Sequence, residues 1–415
     1  MNYVDPIRRE IARFDALDVL LADVATRIQL PPREYQKAVG HYETISAWID
    51  RPGSPLEGLV ARVYPQGGFA IGATIARHET EADFDIDGMA ELALSRNVDP
   101  DRPLASLFEA IRGERGSRYY DKAERKTRCV TVNYVGVHLD LTPTVLCAER
   151  LERTGLIFHS KVGEAEKRQS LWANPYGFAE WFNSRTPAEA SFGVFFEERS
   201  LQYDQSQDSI ALNAEAEPVP DQLPAYRKSR ALIALQLIKR WRNLVYGRKY
   251  PNLRLPPSVL LAHFVAISAN RTSSLAEELL YQIESLILVT EHADKRGVKV
   301  HAVNEACSDD ILTDRWPATL GDQRIFLAEL RVFADKVSLL RRGLSLPRIY
   351  EVLEELFGER PAHGALAGFA GQHEADRIAG KNVHLPKVGT IPALGAALAA
   401  PAAARATPTH TFFGD

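Results

Sequence analysis

Three aspartates in the first half of the chain are spaced so that they could bind metal ions together. Asp85 and Asp87 flank a single isoleucine in the segment DFDIDGMAEL, and Asp140 follows in VHLDLTPTV. Residues i and i+2 of a β-strand point to the same face, so the first two carboxylates would lie side by side. Two negative charges so close repel each other unless a cation lies between them, and Mg²⁺ prefers such oxygen ligands. An Asp-x-Asp pair alone also fits a solvated strand edge, so the third aspartate is needed to complete a metal site.

A strand that places Asp140 beside Asp85 and Asp87 would complete a site for two Mg²⁺ ions, or for Mn²⁺ in their place. Two metal ions about 3.5–4 Å apart can clamp the attacking and the leaving oxygen of an in-line phosphoryl transfer. One ion lowers the pKa of a ribose hydroxyl, and the other neutralises the triphosphate and the pyrophosphate leaving group. These residues therefore predict a metal-dependent nucleotidyltransferase in which the three aspartates are both metal ligands and catalytic residues.

A glycine-rich segment, QGGFAIGAT, lies before the paired aspartates and could bind a triphosphate. It follows a strand-like run and precedes a short helix-like run. Glycine lets the backbone approach a phosphate closely, and the amides at the start of a helix point at the anion. We therefore predict that Gln66, Gly67 and Gly68 contact the nucleotide. A double glycine alone is usually a turn, and only its position before the aspartates gives it weight.

The elements that must position these residues are mixed before about residue 165 and mainly helical after it. Strand-like runs predict strands over residues 59–64 and 83–92, and a hairpin over 128–141 that turns at Val135-Gly136. Apolar residues at helical spacing predict helices over residues 3–28, 35–49, 103–111, 226–245, 275–289, 325–340 and 347–357. The pattern indicates an α+β fold with acidic residues on one face of the sheet.

Taken together, these segments resemble the CD-NTases, the cGAS/DncV-like nucleotidyltransferases of bacterial CBASS antiphage defence. The resemblance rests on PQGGFAIGATI, DFDIDGMAEL and VHLDLTPTV, and it continues through LWANPYGF, LQLIKRWR and PPS. Asn304 and Trp316 are similar to later Asn and Trp positions of the family. The resemblance covers about residues 1–358.

Carried over position by position, the resemblance implies that Asp85, Asp87 and Asp140 are the metal-binding carboxylates. It implies that Gly67 and Gly68 hold the triphosphate. Many members have serine at the position of Gly68, so this chain would replace one hydroxyl contact with a backbone amide or a water molecule.

The resemblance also implies two contacts to the donor nucleotide from the helical half of the chain. The family places a lysine on a helix and a serine shortly after it, and Lys239 and Ser258 match these positions. Lys239 lies off the apolar stripe of its predicted helix, so it could face the cleft. We interpret the neighbouring Arg240 and Arg242 as surface or structural residues.

The fold implied by the resemblance is bilobal and polymerase-beta-like, with a mixed-sheet palm, a helical lobe and a cleft between them. The expected divisions are residues 1–55 for the N-terminal helices, 56–165 for the palm, 166–360 for the helical lobe and 361–415 for a flexible tail. The last division rests on a shift of composition toward Ala, Gly, Pro and Thr.

The implied reaction makes a cyclic di- or trinucleotide second messenger from nucleoside triphosphates such as ATP and GTP, with release of pyrophosphate. In the family, that product activates a separate effector. A linear product of the oligoadenylate synthetase kind is the alternative within enzymes. A catalytically silent nucleotide-binding scaffold is the alternative from another class, and the intact aspartate trio argues against it.

Composition restricts the possible partners of the chain. Its net charge of −4 argues against bulk nucleic-acid binding. Cys129, Cys147 and Cys307 are isolated, so the chain lacks the zinc insertion of the animal DNA-sensing relative, and direct DNA sensing is not expected. We find neither a membrane-spanning apolar run nor the core of a signal peptide, and we predict a cytoplasmic protein without a membrane partner.

The end of the chain suggests one protein partner. A segment of low complexity over residues 393–406 precedes the terminus THTFFGD. Some CBASS operons encode ubiquitin-transfer-like enzymes that conjugate the cyclase through its C-terminus, and this terminus would suit such an attachment. A tail without any role is the alternative.

Overall fold

The computed structural model describes residues 16–30, 32–76, 84–208, 228–270, 272, 274–378, 382–385, 389–392 and 405–406. The first part of the helix predicted over residues 3–28 and the chain terminus after residue 406 lie outside these residues. None of the helices within the described ranges is both long enough and apolar enough to cross a membrane.

A seven-stranded mixed sheet occupies the first half of the chain. Its strands run in the spatial order β1-β2-β5-β4-β3, and β6 pairs with both β5 and β7. The pair β2–β5 is parallel, and every other pair in this sheet is antiparallel. The strands are β1 (Val60–Gln66), β2 (Phe84–Leu92), β3 (Ala123–Arg125), β4 (Val130–Asn133), β5 (Val137–Leu146), β6 (Gly155–His159) and β7 (Gln169–Ala173). The two strands and the hairpin predicted here are confirmed.

Helices account for most of the chain outside this sheet. They are α1 (Ala16–Ile28), α2 (Pro32–Ile49), α3 (Gly67–Ala70), α4 (Asp101–Arg112), α5 (Pro175–Arg185), α6 (Ala190–Asp208), α7 (Arg230–Lys249), α8 (Ser258–Ser268), α9 (Leu275–Lys295), α10 (Leu320–Arg341), α11 (Leu346–Phe357) and α12 (Glu359–Ile378). Short strands β8 (Val303–Asn304) and β9 (Cys307–Ile311) form a pair, and β10 (Asn382–Leu385), β11 (Gly389–Pro392) and β12 (Arg405–Ala406) form another small sheet. The prediction of a mainly helical second half is confirmed.

The two largest hydrophobic cores define the two lobes. One lies between the sheet and helices α2 and α4, and includes Ile86, Leu107 and Leu139. The other lies among the helices, and α1 belongs to it although α1 is at the start of the chain. The N-terminal helices therefore divide between the lobes, and the predicted bilobal α+β fold is confirmed.

Helix α7 differs from the amphipathic surface helix that its apolar stripe predicts. Every residue from Ala231 to Arg242 is buried, including the charged ones. Arg240 has 0% of its surface exposed, and its Nε donates a 2.9 Å hydrogen bond to the carbonyl oxygen of Phe357. The interpretation of Arg240 as structural is thus supported, and the alternative of a surface position is wrong. A polar side chain can be buried in this way because a backbone carbonyl satisfies it.

The flexible tail predicted from residue 361 begins later than expected. Helix α12 continues to Ile378 and packs against α1, with Ala362, Ala365 and Phe369 in the helical core. A methyl group added at Gly364 would lie 2.5 Å from Nε of Arg27, so glycine permits this close approach. The prediction is therefore wrong for residues up to 378, because small residues that allow close packing look like low complexity in a composition.

A hydrogen-bonded network around Asn304 ties the β8–β9 pair to the first turn of α5. The side-chain amide of Asn304 donates to the carbonyl oxygen of Asn174 at 2.8 Å and to Oδ2 of Asp310 at 2.9 Å. The backbone N–H of Asn174 donates to the same Asp310 oxygen at 3.0 Å, and Asn174 caps α5 through Gly177. Asn304 is 1% exposed, so water cannot replace these bonds.

We expect Asn304→Ala to lower the free energy of unfolding by about 2–4 kcal/mol, because it leaves a buried carbonyl and a buried carboxylate oxygen short of a donor. Denaturant or thermal unfolding followed by circular dichroism measures this change. The exposed neighbour Glu305→Ala is the control, with an expected change within about 0.5 kcal/mol. Equal stabilities of the two variants would show that the network does not hold the β8–β9 pair in place.

Candidate active site

The parallel register between β2 and β5 brings the predicted aspartates together. Asp87 lies directly opposite Asp140, and Asp85 lies opposite His138. Residues opposite one another on paired strands project from the same face, so all three carboxylates lie on one side of the sheet. Ile86 and Leu139 project from the other side and are buried in the sheet core. The alternation of acidic and apolar residues along both strands produces this arrangement.

The clustered carboxylates dominate the electrostatics of this face. The pKa of Asp87 is raised to about 7, first by burial and then by the charges of Asp140 and Asp85, while Lys239 opposes the rise. A bound divalent cation would reverse this effect, because it favours the ionised form. The donor set therefore fits a hard cation with oxygen ligands.

The side chains of Asp85, Asp87 and Asp140 are not arranged around a single metal position. Over the ranges that the structure describes, no three His, Cys, Asp or Glu side chains meet the geometry of a metal site.

Strand β4 supplies a partner that sequence reasoning did not single out. Thr131 lies opposite Asp140, and its hydroxyl donates a short hydrogen bond to Oδ1 of that carboxylate. This bond engages only one of the two carboxylate oxygens of Asp140. The β-hairpin pattern could have identified Thr131, because its register follows from the turn at Gly136.

Gly67 is required where it stands for two reasons. Its φ angle is +57°, which favours glycine, and a methyl group added there would lie 2.7 Å from Oδ2 of Asp87. The glycine loop and the aspartates are thus in direct contact. Gly68 has more room, since a methyl group there would lie 3.2 Å from Nζ of Lys239.

Gln66 is at the junction of β1 and α3, opposite Asp87 in the antiparallel register. Its side-chain amide donates to the carbonyl oxygen of Gly88 and to Oγ1 of Thr142, both at 3.2 Å. That amide therefore faces the sheet, and the backbone of Gln66 is the part that leads into the glycine loop.

Lys239 comes from the helical lobe to the glycine loop. Its Nζ donates a 2.6 Å hydrogen bond to the carbonyl oxygen of Ala73, and its side chain is 7% exposed. Burial, followed by the charge of Arg242, lowers the pKa of Lys239 to about 7, although Asp87 and Asp85 act in the opposite direction. An ammonium group has three donors, so Lys239 can hold Ala73 and still contact an anion.

Two further side chains of the helical lobe hold the same loop. Gln236 donates to the carbonyl oxygens of Gly72 and Thr74 at 3.3 and 3.4 Å, and Lys228 donates to Gly72 at 3.2 Å. Gln236 precedes Lys239 by three residues, which places both on one face of α7. That spacing is the signal by which the sequence could have revealed Gln236.

Ser258 begins helix α8, which contacts the short helix α3. Its hydroxyl accepts a 3.2 Å hydrogen bond from Arg242, which also donates to the carbonyl oxygen of Pro256 at 2.6 Å. Arg242 is 3% exposed, so the interpretation of it as a surface residue is wrong and the structural one is supported. Through Ser258 and Pro256, Arg242 fixes the segment that leads into α8.

A mixed sheet that carries paired aspartates beside a glycine loop, and that faces a helical lobe, defines a nucleotidyltransferase of the polymerase type. No family model matches the chain. The cyclic dinucleotide synthase CdnG of Bradyrhizobium diazoefficiens is 36% identical in an alignment of 414 positions, which covers 97% of this chain and 95% of that protein. A c-di-GMP synthase of Roseivirga ehrenbergii is 26% identical over 267 residues, 63% of each chain.

A solved structure supports the same assignment. The CD-NTase CdnG of Bradyrhizobium diazoefficiens in complex with GTP aligns with a TM-score of 0.74 and 34% identity, covering 86% of this chain and 99% of that one. This chain therefore belongs to the CD-NTase family, as its motifs predicted, and it is a nucleotidyltransferase.

We expect Gly67→Ala to reduce kcat/KM for pyrophosphate release by about 100-fold, because the added methyl group displaces the Asp87 carboxylate and strains the backbone. Gly68→Ser restores the commoner residue of the family, and its closest contact, at 3.2 Å, would be the flexible end of the Lys239 side chain, so its activity should stay within about threefold of the original. Steady-state assays with nucleoside triphosphates and Mg²⁺ measure both variants. Similar losses in the two variants would contradict the assignment of the close contact to Gly67.

Proposed function

We propose that this protein condenses two nucleoside triphosphates, at least one of them GTP, into a cyclic dinucleotide. The register that places Asp87 opposite Asp140 beside Gly67 is the observation that carries the proposal. The 36% identity to a cyclic dinucleotide synthase supports the dinucleotide product. The GTP complex of CdnG and the similarity to the c-di-GMP synthase of Roseivirga ehrenbergii support guanine as a substrate base.

The three aspartates are the residues that would hold Mg²⁺ or Mn²⁺. Bound there, the metal would lower the pKa of the attacking hydroxyl and neutralise charge on the triphosphate. Gly67 allows the backbone of the loop to lie against the donor phosphates. Lys239 adds a positive charge to the same phosphates from the helical lobe.

The reaction consists of two similar transfers. In each one, a ribose hydroxyl gives up its proton, its oxygen bonds to the α-phosphorus of the other nucleotide, and the bond to the β-phosphate breaks. Pyrophosphate leaves with the electron pair of that bond. We assign the acceptance of that proton to Asp140, because its strand is farther from Gly67 in the sheet order than the strand of Asp85 and Asp87. A second transfer within the linear intermediate closes the ring.

The product would serve as a second messenger in CBASS signalling, as in the family, by activating a separate effector. A linear oligonucleotide would keep a terminal phosphate that alkaline phosphatase removes, so resistance to the phosphatase separates a cyclic product from it. A silent scaffold would bind nucleotide without release of pyrophosphate.

We expect the purified protein to release two pyrophosphates per phosphatase-resistant product when it is incubated with all four nucleoside triphosphates and Mg²⁺. Asp85→Ala/Asp87→Ala should abolish this release, and EDTA should do the same to the unmodified protein, because both remove the metal. Mass spectrometry identifies the bases and the ring size. The exposed pair Asp121→Ala/Asp335→Ala is the matched control. Equal activity in the two double variants would overturn the assignment of the site.

The predicted conjugation of the C-terminus is a separate proposal, since its residues lie outside the described part of the chain. We expect deletion of residues 409–415 to abolish covalent conjugates in cells that carry the operon, without loss of pyrophosphate release in vitro. Immunoblotting of the cyclase detects the conjugates as species of higher mass. Unchanged conjugates after the deletion would exclude attachment at this terminus.

A further inference from the structure

Strand β4 borders the aspartate face on the side away from β2. Thr131 of β4 lies opposite Asp140, and Asp87 of β2 lies opposite Asp140 from the other direction. Residues opposite one another on paired strands project from the same face, so these three side chains form one row across three strands. Thr131 is 6% exposed. Asp140 therefore has a carboxylate as its neighbour on one side and a buried hydroxyl as its neighbour on the other.

The hydrogen bond within this row runs from Thr131 to Asp140. The Thr131 hydroxyl donates to Oδ1 of that carboxylate. A hydroxyl has a single hydrogen, and its bond to an ionised carboxylate is charge-assisted, which makes it stronger than a bond between neutral groups. Because one carboxylate oxygen is held in this way, rotation of the Asp140 carboxylate is restricted, while its second oxygen stays outside the bond.

The position of Thr131 in the sheet favours Asp140 over the other carboxylate within its register. Glu124 of β3 lies opposite Thr131 on its other side. The Glu124 carboxylate pairs with Lys126, and its side chain is 55% exposed. Threonine is branched at Cβ, so its χ1 angle is confined to few values. The single hydrogen of the buried hydroxyl is thus directed to the aspartate and not to the solvated glutamate.

A second pair of side chains joins β4 to β5 in the next row of the same face. Nδ1 of His138 lies 2.7 Å from Oδ1 of Asn133. The amide nitrogen of Asn133 donates to the carbonyl oxygen of Lys122 at 3.3 Å, so its oxygen is the atom that faces His138. Side chains therefore reinforce the backbone pairing of the two strands, and they help to fix Thr131 relative to Asp140.

We propose that Thr131 is a positioning residue for Asp140. Its hydroxyl fixes the orientation of the carboxylate that would hold Mg²⁺, and so sets the affinity of the site for the metal ion. This inference rests on the proposed function and deepens it. Hydrogen-bond partners of metal ligands orient those ligands, and their loss typically weakens metal binding by about 10–100-fold. Thr131 acts only through Asp140, so its loss should change the metal requirement and not the nucleotide requirement.

Binding of Mn²⁺ without nucleotide tests this role directly. Thr131→Val keeps the branched shape of the side chain but removes the hydroxyl, whereas Thr131→Ser keeps the hydroxyl. We expect Thr131→Val to raise the Kd for Mn²⁺ by about tenfold or more, and Thr131→Ser to stay within about threefold of the unmodified protein. Electron paramagnetic resonance of free Mn²⁺ measures both values.

Thr144→Val is the matched control for the loss of a buried threonine hydroxyl. Thr144 is 1% exposed and lies on the same face of β5, four residues beyond Asp140. That spacing corresponds to about 13 Å along a strand, so Mn²⁺ affinity should not change in this variant. Thermal unfolding in EDTA checks that each variant is folded. Thr131→Ala is a second variant without the hydroxyl, in case valine alters the packing of β4.

Pyrophosphate release with Mg²⁺ and GTP gives a second readout. Thr131→Val should raise the Mg²⁺ concentration for half-maximal rate by about tenfold, and leave KM for GTP at saturating Mg²⁺ unchanged. A purely structural role would instead lower the rate by the same factor at every Mg²⁺ concentration. That second pattern, or equal Mn²⁺ affinity in Thr131→Val and Thr131→Ser, would overturn the proposal.

Asp140→Ala separates a failure of this inference from a failure of the proposed function. It should weaken Mn²⁺ binding more than Thr131→Val does, because it removes the ligand itself. Weaker binding in Asp140→Ala together with unchanged binding in Thr131→Val would refute the role of Thr131 and leave the metal site established. Unchanged binding in Asp140→Ala would refute the metal site, and with it both the proposed function and this inference.

Discussion

The parallel pairing of β2 with β5 is the constraint on which the rest of the site depends. It places Asp87 opposite Asp140 and turns Ile86 and Leu139 into the core on the other face. A slip of one residue would exchange these two sets, burying carboxylates and exposing the apolar residues. The hydrophobic core of the sheet therefore enforces the juxtaposition of negative charges, even though that juxtaposition is unfavourable without a cation. Stability of the fold and chemistry of the site are fixed by the same register.

Local patterns predicted the parts of the site that lie within one element. Alternation along β2 and the turn at Gly136 were sufficient to place Asp85, Asp87 and the hairpin that carries Asp140. The sequence pattern alone could not predict that Asp140 and Asp87 lie opposite each other, because the periodicity of one strand does not indicate which distant strand it pairs with. The family resemblance implied that pairing. It also implied a role in the site for Lys239, whose position within KRWR would otherwise predict a solvated helix face.

The errors in prediction have a common physical origin. Helix α7 appeared amphipathic because Arg240 and Arg242 are charged, yet both are buried against the carbonyl oxygens of Phe357 and Pro256. Helix α12 appeared to be a flexible tail because it is rich in small residues, yet Gly364 lets it approach Arg27. In both cases the deciding partner lies far away in sequence. A scale that assigns each residue an intrinsic preference does not include such partners.

The glycine loop is one of the segments that join the two lobes, and this gives the loop a second role. Gln66 belongs to the sheet, whereas Ile71, Ala73 and Ile75 belong to the core of the helical lobe. Side chains of Lys228, Gln236 and Lys239 hold the carbonyl oxygens of residues 72–74 from the helical side. A change in the angle between the lobes would act directly on Gly67 and Gly68, because these glycines lie in a short link between the two cores. Occupancy of the donor phosphate site and the relative position of the lobes are therefore coupled through one backbone segment.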